Sequence, residues 1–461
     1  MSHTLQDILS IYKDTEGVGY NKKPHELEVK FGTQQIDRIS YIDYNNVMQK
    51  LASCGFKCLN KIGTTQLKIM FDNNDYNIDS HLRVELLSKS AIKIYCKTNK
   101  LDGIDDIQFI IKQNARDKNG IEIEAIDKKE FNLRYTYKYE EQLSKESDNI
   151  SNIIEHISNI KKVFRYIHRL SFTKDGCPLR IDLSRIKTNK QSSGRLITTT
   201  DIQSCGLFNN PEIFEIEIEV IDYNDSMLFK TIKSTVKLIL SALQQTNYPI
   251  SYPEQNNVYK DYLHLIGYKN SKTTAKQFIG PSSFTLQYDN LTEDSPINIL
   301  HDYTVTDKAD GMRKLLYIHA SKKIYLINTN MKVEFTGCVV KTDKFINTIL
   351  DGEHILHNKE GNFINLFAAF DIYFLDGKNI RGKIFIDEGT TLKENMRLYL
   401  LMNLIKHLDI TKVGGGDSVI SIRNKKFYSI SDGVSIFDAC KQVFDNVYDY
   451  NTDGLIFPVV Y

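Results

Sequence analysis

From Glu26 to about Val220, apolar and polar residues alternate with period two in one short stretch after another: HELEVKF, LKIMF, HLRVELL, AIKIYCK, IQFIIKQ, RYIHRLSF, LRIDLSRI and FEIEIEVI. A strand turns successive side chains to opposite faces, so each stretch reads as a strand with one buried and one polar face. In the first of them Leu27, Val29 and Phe31 share a face, and Glu26, Glu28 and Lys30 share the other. The last repeats the arrangement, with Ile216, Ile218 and Val220 opposite Glu215, Glu217 and Glu219. Helical spacing is expected at 42–53, at 140–162 around ISNIIEHISNI, and at 226–245, where Leu228, Ile232, Val236, Ile239 and Leu243 form one apolar stripe.

After that third helix, NYPISYPEQNN carries Pro249 and Pro253, which break regular elements. A linker is therefore expected at 247–270, between domains at 1–246 and 271–461. The second domain starts at GPSSFTLQYDNL and alternates strands with short helices up to Tyr461. No internal repeat or low-complexity segment interrupts either half.

Composition narrows the class. Charged residues make up 25% and apolar residues 41%, the balance of a soluble globular chain. No apolar run approaches the ~20 residues of a membrane span, so no membrane association is expected. The start, MSHTLQDILSIYKDTEG, lacks the basic stretch and cleavage site of a secretory leader. Seven scattered cysteines without a C-x-x-C pair read as reduced thiols of a cytosolic compartment. A net charge of +1 excludes one large basic nucleic-acid face, while leaving room for basic grooves beside acidic metal sites.

Three like charges at alternate positions repel each other. A divalent cation offsets that repulsion, and Mg2+ or Mn2+ favours carboxylate oxygens. Strands between the two acidic ones place Arg83, Lys97, Arg165, Arg169 and Arg180 at the same alternate spacing, with Asp182 beside Arg180. Acidic ligands ringed by Arg and Lys suit a chain of phosphates and metal-assisted attack of water on the terminal one. Either acidic strand alone equally fits a solvated sheet face; the two together, with basic strands between, favour an enclosed site.

E-x-E-x-K at 26–30 and E-x-E-x-E at 215–219 resemble the triphosphate tunnel metalloenzymes, and more narrowly the metal-dependent RNA triphosphatases of fungi and large DNA viruses. The resemblance implies an eight-stranded antiparallel β-tunnel with Glu26, Glu28, Glu217 and Glu219 as catalytic metal ligands. It further implies that Glu215 orients water or a ligand, and that Lys30, Arg83, Lys97, Arg165, Arg169 and Arg180 contact phosphate. One departure stands out: Ile167 occupies a place where that family often has lysine, with Arg165 available on the same face.

The second half has a constellation of its own. VTDKADGMR holds Lys308, Asp310, Gly311 and Arg313. Taken alone it also fits a hairpin turn at Asp-Gly, with KLLYIH as the returning strand. Downstream come ILDGEHIL with Asp351 and Glu353, FAAFDIYFLDG with Phe370 and Asp371, and NTDGLIF with Asp453. In that order the motifs resemble the nucleotidyltransferase superfamily of mRNA capping guanylyltransferases and DNA and RNA ligases, over about 271–461. The resemblance implies that the Lys308 amine attacks a nucleotide α-phosphate, pyrophosphate leaves and a phosphoramidate forms. A free lysine titrates at about 10.4, so burial, cationic neighbours or a metal must make Lys308 nucleophilic. Glu353 and Asp453 would hold the metal, Asp310, Gly311, Arg313 and Asp371 the nucleotide, and Phe370 would stack on the base. His354 and His357 show no ligand pattern and are expected to be structural or exposed.

The whole therefore reads as α+β: an antiparallel eight-stranded tunnel domain, then an ATP-grasp-like, ligase-type nucleotidyltransferase domain. Joined in this order, the halves resemble the N-terminal part of the capping enzymes of large DNA viruses. That implies GTP as substrate, RNA 5′-triphosphate and 5′-diphosphate ends as partners, and a place in the host cytoplasm or the virion. Guanylyltransferases continue past DGLIF to a lysine-rich motif and an OB-fold, so a longer polypeptide with a cap methyltransferase region, or a partner subunit, is expected. An ATP-dependent ligase with an accessory phosphatase, or a non-catalytic phosphate-binding scaffold, stays open as an alternative.

Overall fold

The computed structural model describes residues 4–16, 25–33, 38–72, 78–222, 226–268, 277–386, 393–430 and 434–460. The chain forms two compact units, Met1–Gln245 and Thr246–Tyr461.

The first unit is built on a ten-stranded antiparallel sheet that closes on itself. Two of its strands, Lys57–Cys58 and Ile126–Lys128, are short side pieces, which leaves eight in the wall. These are β1 (His25–Phe31), β2 (Thr64–Phe71), β3 (Leu82–Leu86), β4 (Ile107–Asn114), β5 (Leu133–Leu143), β6 (Lys162–Thr173), β7 (Leu179–Thr188) and β8 (Ile213–Val220). Around the wall they run β1-β8-β7-β6-β2-β3-β4-β5, and β5 pairs back with β1, so no edge is left open. The expected eight-stranded tunnel is what the chain forms.

Period two decides what lies inside. Leu27, Val29, Ile216, Ile218, Ile181 and Leu183 point outward into a core covered by α2 (Tyr41–Ser53) and α5 (Leu228–Gln244). Helix α2 starts in a capping box between Ser40 and Asp43 and buries Tyr44, Val47 and Leu51. Helix α5 buries the expected stripe from Leu228 to Leu243 and stops at Gln245, which takes a left-handed conformation. A second outer core joins Leu67, Ile69, Val84 and Phe164 to α3 (Lys89–Thr98) and α4 (Asp148–His156).

Three expectations change here. AIKIYCK forms helix α3, not a strand: the Ser88 hydroxyl caps it, Asn99 ends it in a left-handed turn, and Ala91, Ile92 and Tyr95 bury one helical face. The helix expected at 140–162 spans only Asp148–His156, and residues 140–143 belong to β5. The linker expected at 247–270 contains α6 (Tyr252–Leu265), with Ser251 as cap and Pro253 in the first turn, where a missing N–H costs nothing. That helix buries Val258, Tyr262 and Leu263 against the sheet of the second unit.

In the second unit, β9 (Thr304–Ala309) belongs to a three-stranded sheet with β17 (Tyr428–Ser429) and β18 (Thr452–Ile456). The larger sheet contains β10 (Met312–Ile318), β11 (Lys323–Asn328), β12 (Val333–Val340), β13 (Thr348–His357) and β14 (Phe363–Leu375), in the order β14-β13-β10-β11-β12. β15 (Ile410–Lys412) extends it beside β12, and β16 (Ser421–Asn424) runs parallel to β14. Helix α6 packs on one face, and α7 (Arg397–His407) on the other.

Candidate active sites

Every charged residue of the two acidic strands faces the tunnel interior. Glu28 on β1 stands directly opposite Glu219 on β8, and Lys30 opposite Glu217. The wall's charges form a continuous run of ion pairs. Glu85 bridges Lys68 (2.9 Å) and Arg83 (2.6 Å), and Arg83 reaches Glu140 (2.8 Å). Lys112 stands among Glu140 (3.0 Å), Glu28 (3.3 Å) and Glu26. Lys30 joins Glu28 to Glu217, both at 2.9 Å. Arg169 links Glu217 (3.4 Å) to Asp182 (3.2 Å), and Arg180 links Asp182 (3.1 Å) to Glu219. Separate from this run, Arg165 pairs with Glu215 at 2.8 Å.

The electrostatics differ from one carboxylate to the next. Burial pushes Glu28 up, but Lys30 and Lys112 outweigh it and hold the group well below the usual carboxylate range. Glu26, next along the strand, is pushed up to about 8 by burial and by Glu28. Glu219 is also raised by burial, against the pull of Arg180.

Among the described residues, no three His, Cys, Asp or Glu side chains converge as a ready-made metal site, because lysine and arginine stand between the carboxylates. The donor set nevertheless suits a hard divalent cation. Glu28 faces the like-charged Glu219 directly, which a strand ladder disfavours. The raised Glu26 is a buried carboxylate short of positive charge.

Of the sequence-derived phosphate contacts, Lys30, Arg83, Arg165, Arg169 and Arg180 lie on the wall. Lys97 does not: it is exposed on α3, outside the barrel. Lys112, Lys138 and Glu140 had gone unnoticed, although KYEEQ alternates Lys138, Glu140 and Gln142 toward the interior. Reading 140–162 as helix hid them.

In the second unit the hairpin alternative at Lys308 fails. β9 and β10 do not pair; the chain leaves one sheet at Asp310–Gly311 and enters another. Gly311 has to be glycine, since a Cβ there would stand 2.8 Å from Glu353 Cγ and 3.0 Å from the His354 carbonyl. Asp351–Gly352–Glu353 likewise lies within the continuous strand β13, and Asp453 within β18.

Lys308 Nζ contacts Asp453 Oδ2 at 2.7 Å, with about half of each side chain exposed. The hydrogen bond to Asp453, together with the charges of Glu353 and Asp310, raises its pKa. Of the three expected activating influences, burial is therefore absent, and the close neighbours are carboxylates. Glu353 is pushed up to about 7 by burial, against the pull of Lys425.

Arg313 is held from several sides. Its Nη2 meets the fully buried Asp351 at 2.6 Å, and its Nη1 donates to the Pro281 carbonyl at 2.7 Å. Tyr373 donates to Asp351 at 2.6 Å. The rings of Phe278 and Phe370 lie 5.5 and 5.6 Å from the guanidinium. Gly280 fits because a Cβ there would come within 2.4 Å of Arg313. Phe370 thus stacks near Arg313, and Asp371 is engaged by Arg397 at 2.9 Å. Behind Lys308, buried Lys425 donates to the Asp307 carbonyl and lies 3.3 Å from its carboxylate, which also accepts from Tyr450 at 3.1 Å. His354 is buried and bonds Asn365 at 2.8 Å, a structural role.

Residues 249–460 match the family described as mRNA capping enzyme, catalytic domain. A probable mRNA-capping enzyme of Acanthamoeba polyphaga mimivirus is 26% identical over 287 residues, 61% of this chain and 21% of the relative. The chain thus spans about one fifth of the length of that curated relative. A solved mimivirus capping enzyme triphosphatase aligns at 17% identity and a TM-score of 0.34, over 52% of this chain and 96% of that one. The chain is therefore similar to a viral mRNA capping enzyme, with the catalytic-domain pattern of that family across its second unit.

Proposed function

We propose that the chain performs two consecutive steps of mRNA capping: removal of the γ-phosphate from RNA 5′-triphosphate ends, and transfer of GMP from GTP to the resulting diphosphate end. The observation that carries the reading is a closed tunnel whose first and last strands set Glu26, Glu28, Glu217 and Glu219 against each other, in one chain with the Lys308–Asp453 pair.

In the tunnel, Glu26, Glu28, Glu217 and Glu219 would hold Mg2+ or Mn2+, which when bound neutralises phosphate charge and polarises water. The remaining chemistry belongs to the chain. Lys30, Arg169 and Arg180 exchange carboxylate partners for phosphate oxygens, a substitution between anions that keeps each cation satisfied. Glu28, held ionised, and Glu215, fixed by Arg165, keep the acidic side of the tunnel in place.

In the second unit, Glu353 and Asp453 are the groups that would hold the metal accompanying GTP. Lys308 must lose its proton before its nitrogen attacks the α-phosphorus, and Asp453 Oδ2 is the atom in contact with that proton. The N–P bond then forms as the bond to pyrophosphate breaks. Arg313, braced by Asp351, presents its remaining N–H groups to sugar or phosphate.

The test is phosphate release from γ-labelled 5′-triphosphate RNA, wild type beside Glu26→Ala, with Mg2+ or Mn2+. Release that vanishes in the variant supports the tunnel assignment, and undiminished release removes it. Covalent labelling from GTP beside ATP separates capping from ligation: a Lys308 adduct formed only from ATP would make the chain a ligase.

A further inference from the structure

Every other described ammonium or guanidinium on the tunnel wall has a carboxylate within 4.0 Å. Lys138 has none among the described residues. It lies on β5 opposite Glu26 of β1, but Glu26 is taken by Lys112. Its amine donates to the Asn114 side-chain carbonyl, and the Asn114 amide is tied to Glu122. One N–H of three is used in that bond, and the rest of the group faces the tunnel.

Position adds to charge. Lys138 pairs with Asn114, the last residue of β4, and with Glu26, the second residue of β1. It therefore lies at one mouth of the tunnel, half-buried, where an incoming chain meets the wall. Lys112 and Lys30 lie close enough to push its amine below the usual lysine range, after burial itself. Three cations gathered at one end, one of them without a carboxylate, leave a standing positive charge. Lys112 and Arg169 must break ion pairs to hold phosphate, whereas Lys138 need break none.

We propose that Lys138 binds an oxygen of the substrate's triphosphate at the tunnel mouth and acts in substrate capture, not in the chemical step. This rests on the reading of the tunnel as an RNA triphosphatase. The residue had no role in the sequence-derived site.

The test uses the full chain with Mn2+, comparing wild type, Lys138→Met and Lys138→Arg on 5′-triphosphate RNA and on inorganic tripolyphosphate. A lost hydrogen bond to a charged group predicts that Lys138→Met raises KM about tenfold on both substrates. Its kcat should stay within about twofold, and Lys138→Arg should recover most of the loss because it keeps the charge. Thermal melting of both variants should match the wild type, which separates capture from a structural role. Unchanged KM overturns the proposal, as does a fall in kcat at constant KM. A KM rise on RNA alone also overturns it, since the contact would then be to the RNA backbone. Should the wild type hydrolyse neither substrate, the triphosphatase reading fails by itself. Calorimetric binding of tripolyphosphate then still decides Lys138: about tenfold weaker binding to Lys138→Met supports the contact, and equal affinity removes it.

Discussion

In the tunnel, the groups that handle charge are locked to one another: each carboxylate from Glu85 round to Glu219 holds at least one lysine or arginine. In the second unit the nucleophile stands on one contact, Lys308 to Asp453, with half of its surface in water. The rigid partner there is Arg313, whose bond to Asp351 is buried. The two sites thus divide order differently. One holds a whole lining ready for an anion that replaces internal partners. The other fixes the residue that positions substrate and leaves the attacking amine free to change partner.

The largest effect expected from that contrast is at Lys308. Lys308→Ala should abolish the covalent nucleotide adduct, since no other amine stands in its place, and phosphate release in the tunnel should persist. Denaturing gels with labelled GTP check the first, and release from labelled RNA the second. Loss of both would show that the two activities are not separable. Next is Glu28→Ala, which removes a partner of both Lys30 and Lys112 as well as a metal donor. Phosphate release should fall at least about a hundredfold, by the scale on which metal-site groups act, with adduct formation intact.

Breaking the buried Arg313–Asp351 pair comes third. Asp351→Ala should destabilise the second unit by about 3 kcal/mol, because it leaves a guanidinium without its carboxylate; denaturant unfolding measures this. A smaller, graded effect is expected from pH. Glu353 must lose its proton to bind a cation, and it does so near 7. Lys308 must also lose its proton, from a pKa raised above the ordinary lysine value. Both requirements have the same sign, so the rate of adduct formation should climb from pH 6 to pH 9, with the metal concentration needed for half-maximal rate falling through 7. A flat profile would mean that neither group limits the step. The smallest effect is at Lys97, exposed on α3: Lys97→Ala should change stability by less than about 0.5 kcal/mol and leave phosphate release untouched.

The tunnel was legible wherever alternation was strict, since period two fixes a face whatever the strand's neighbours are. HELEVKF and FEIEIEVI gave both the strands and the inward carboxylates. Lys97 was misplaced because AIKIYCK satisfies both periods. What separated them was the Ser88 cap three residues before Ala91, a helix-start signal that local β-propensity masked. Lys138 and Glu140 were lost for the opposite reason, as a helical pattern downstream was carried back over the end of β5. In the second unit the motif order located Lys308, Arg313, Glu353 and Asp453. Pairing partners lay beyond reach. Nothing local indicates that Asp351 would hold Arg313, or that Lys425 would come within 3.3 Å of Asp307, since 118 positions separate that pair.

The break at Asp310–Gly311 has a mechanical consequence. Lys308 and Asp453 are carried by the three-stranded sheet, and Arg313 and Glu353 by the larger one. A nucleotide touched by both groups acts as a crossbar between two sheets joined at that point by a single turn of backbone. Tension or slack at Gly311 would therefore set how far the amine stands from the phosphorus it attacks, without moving any residue that grips the nucleotide.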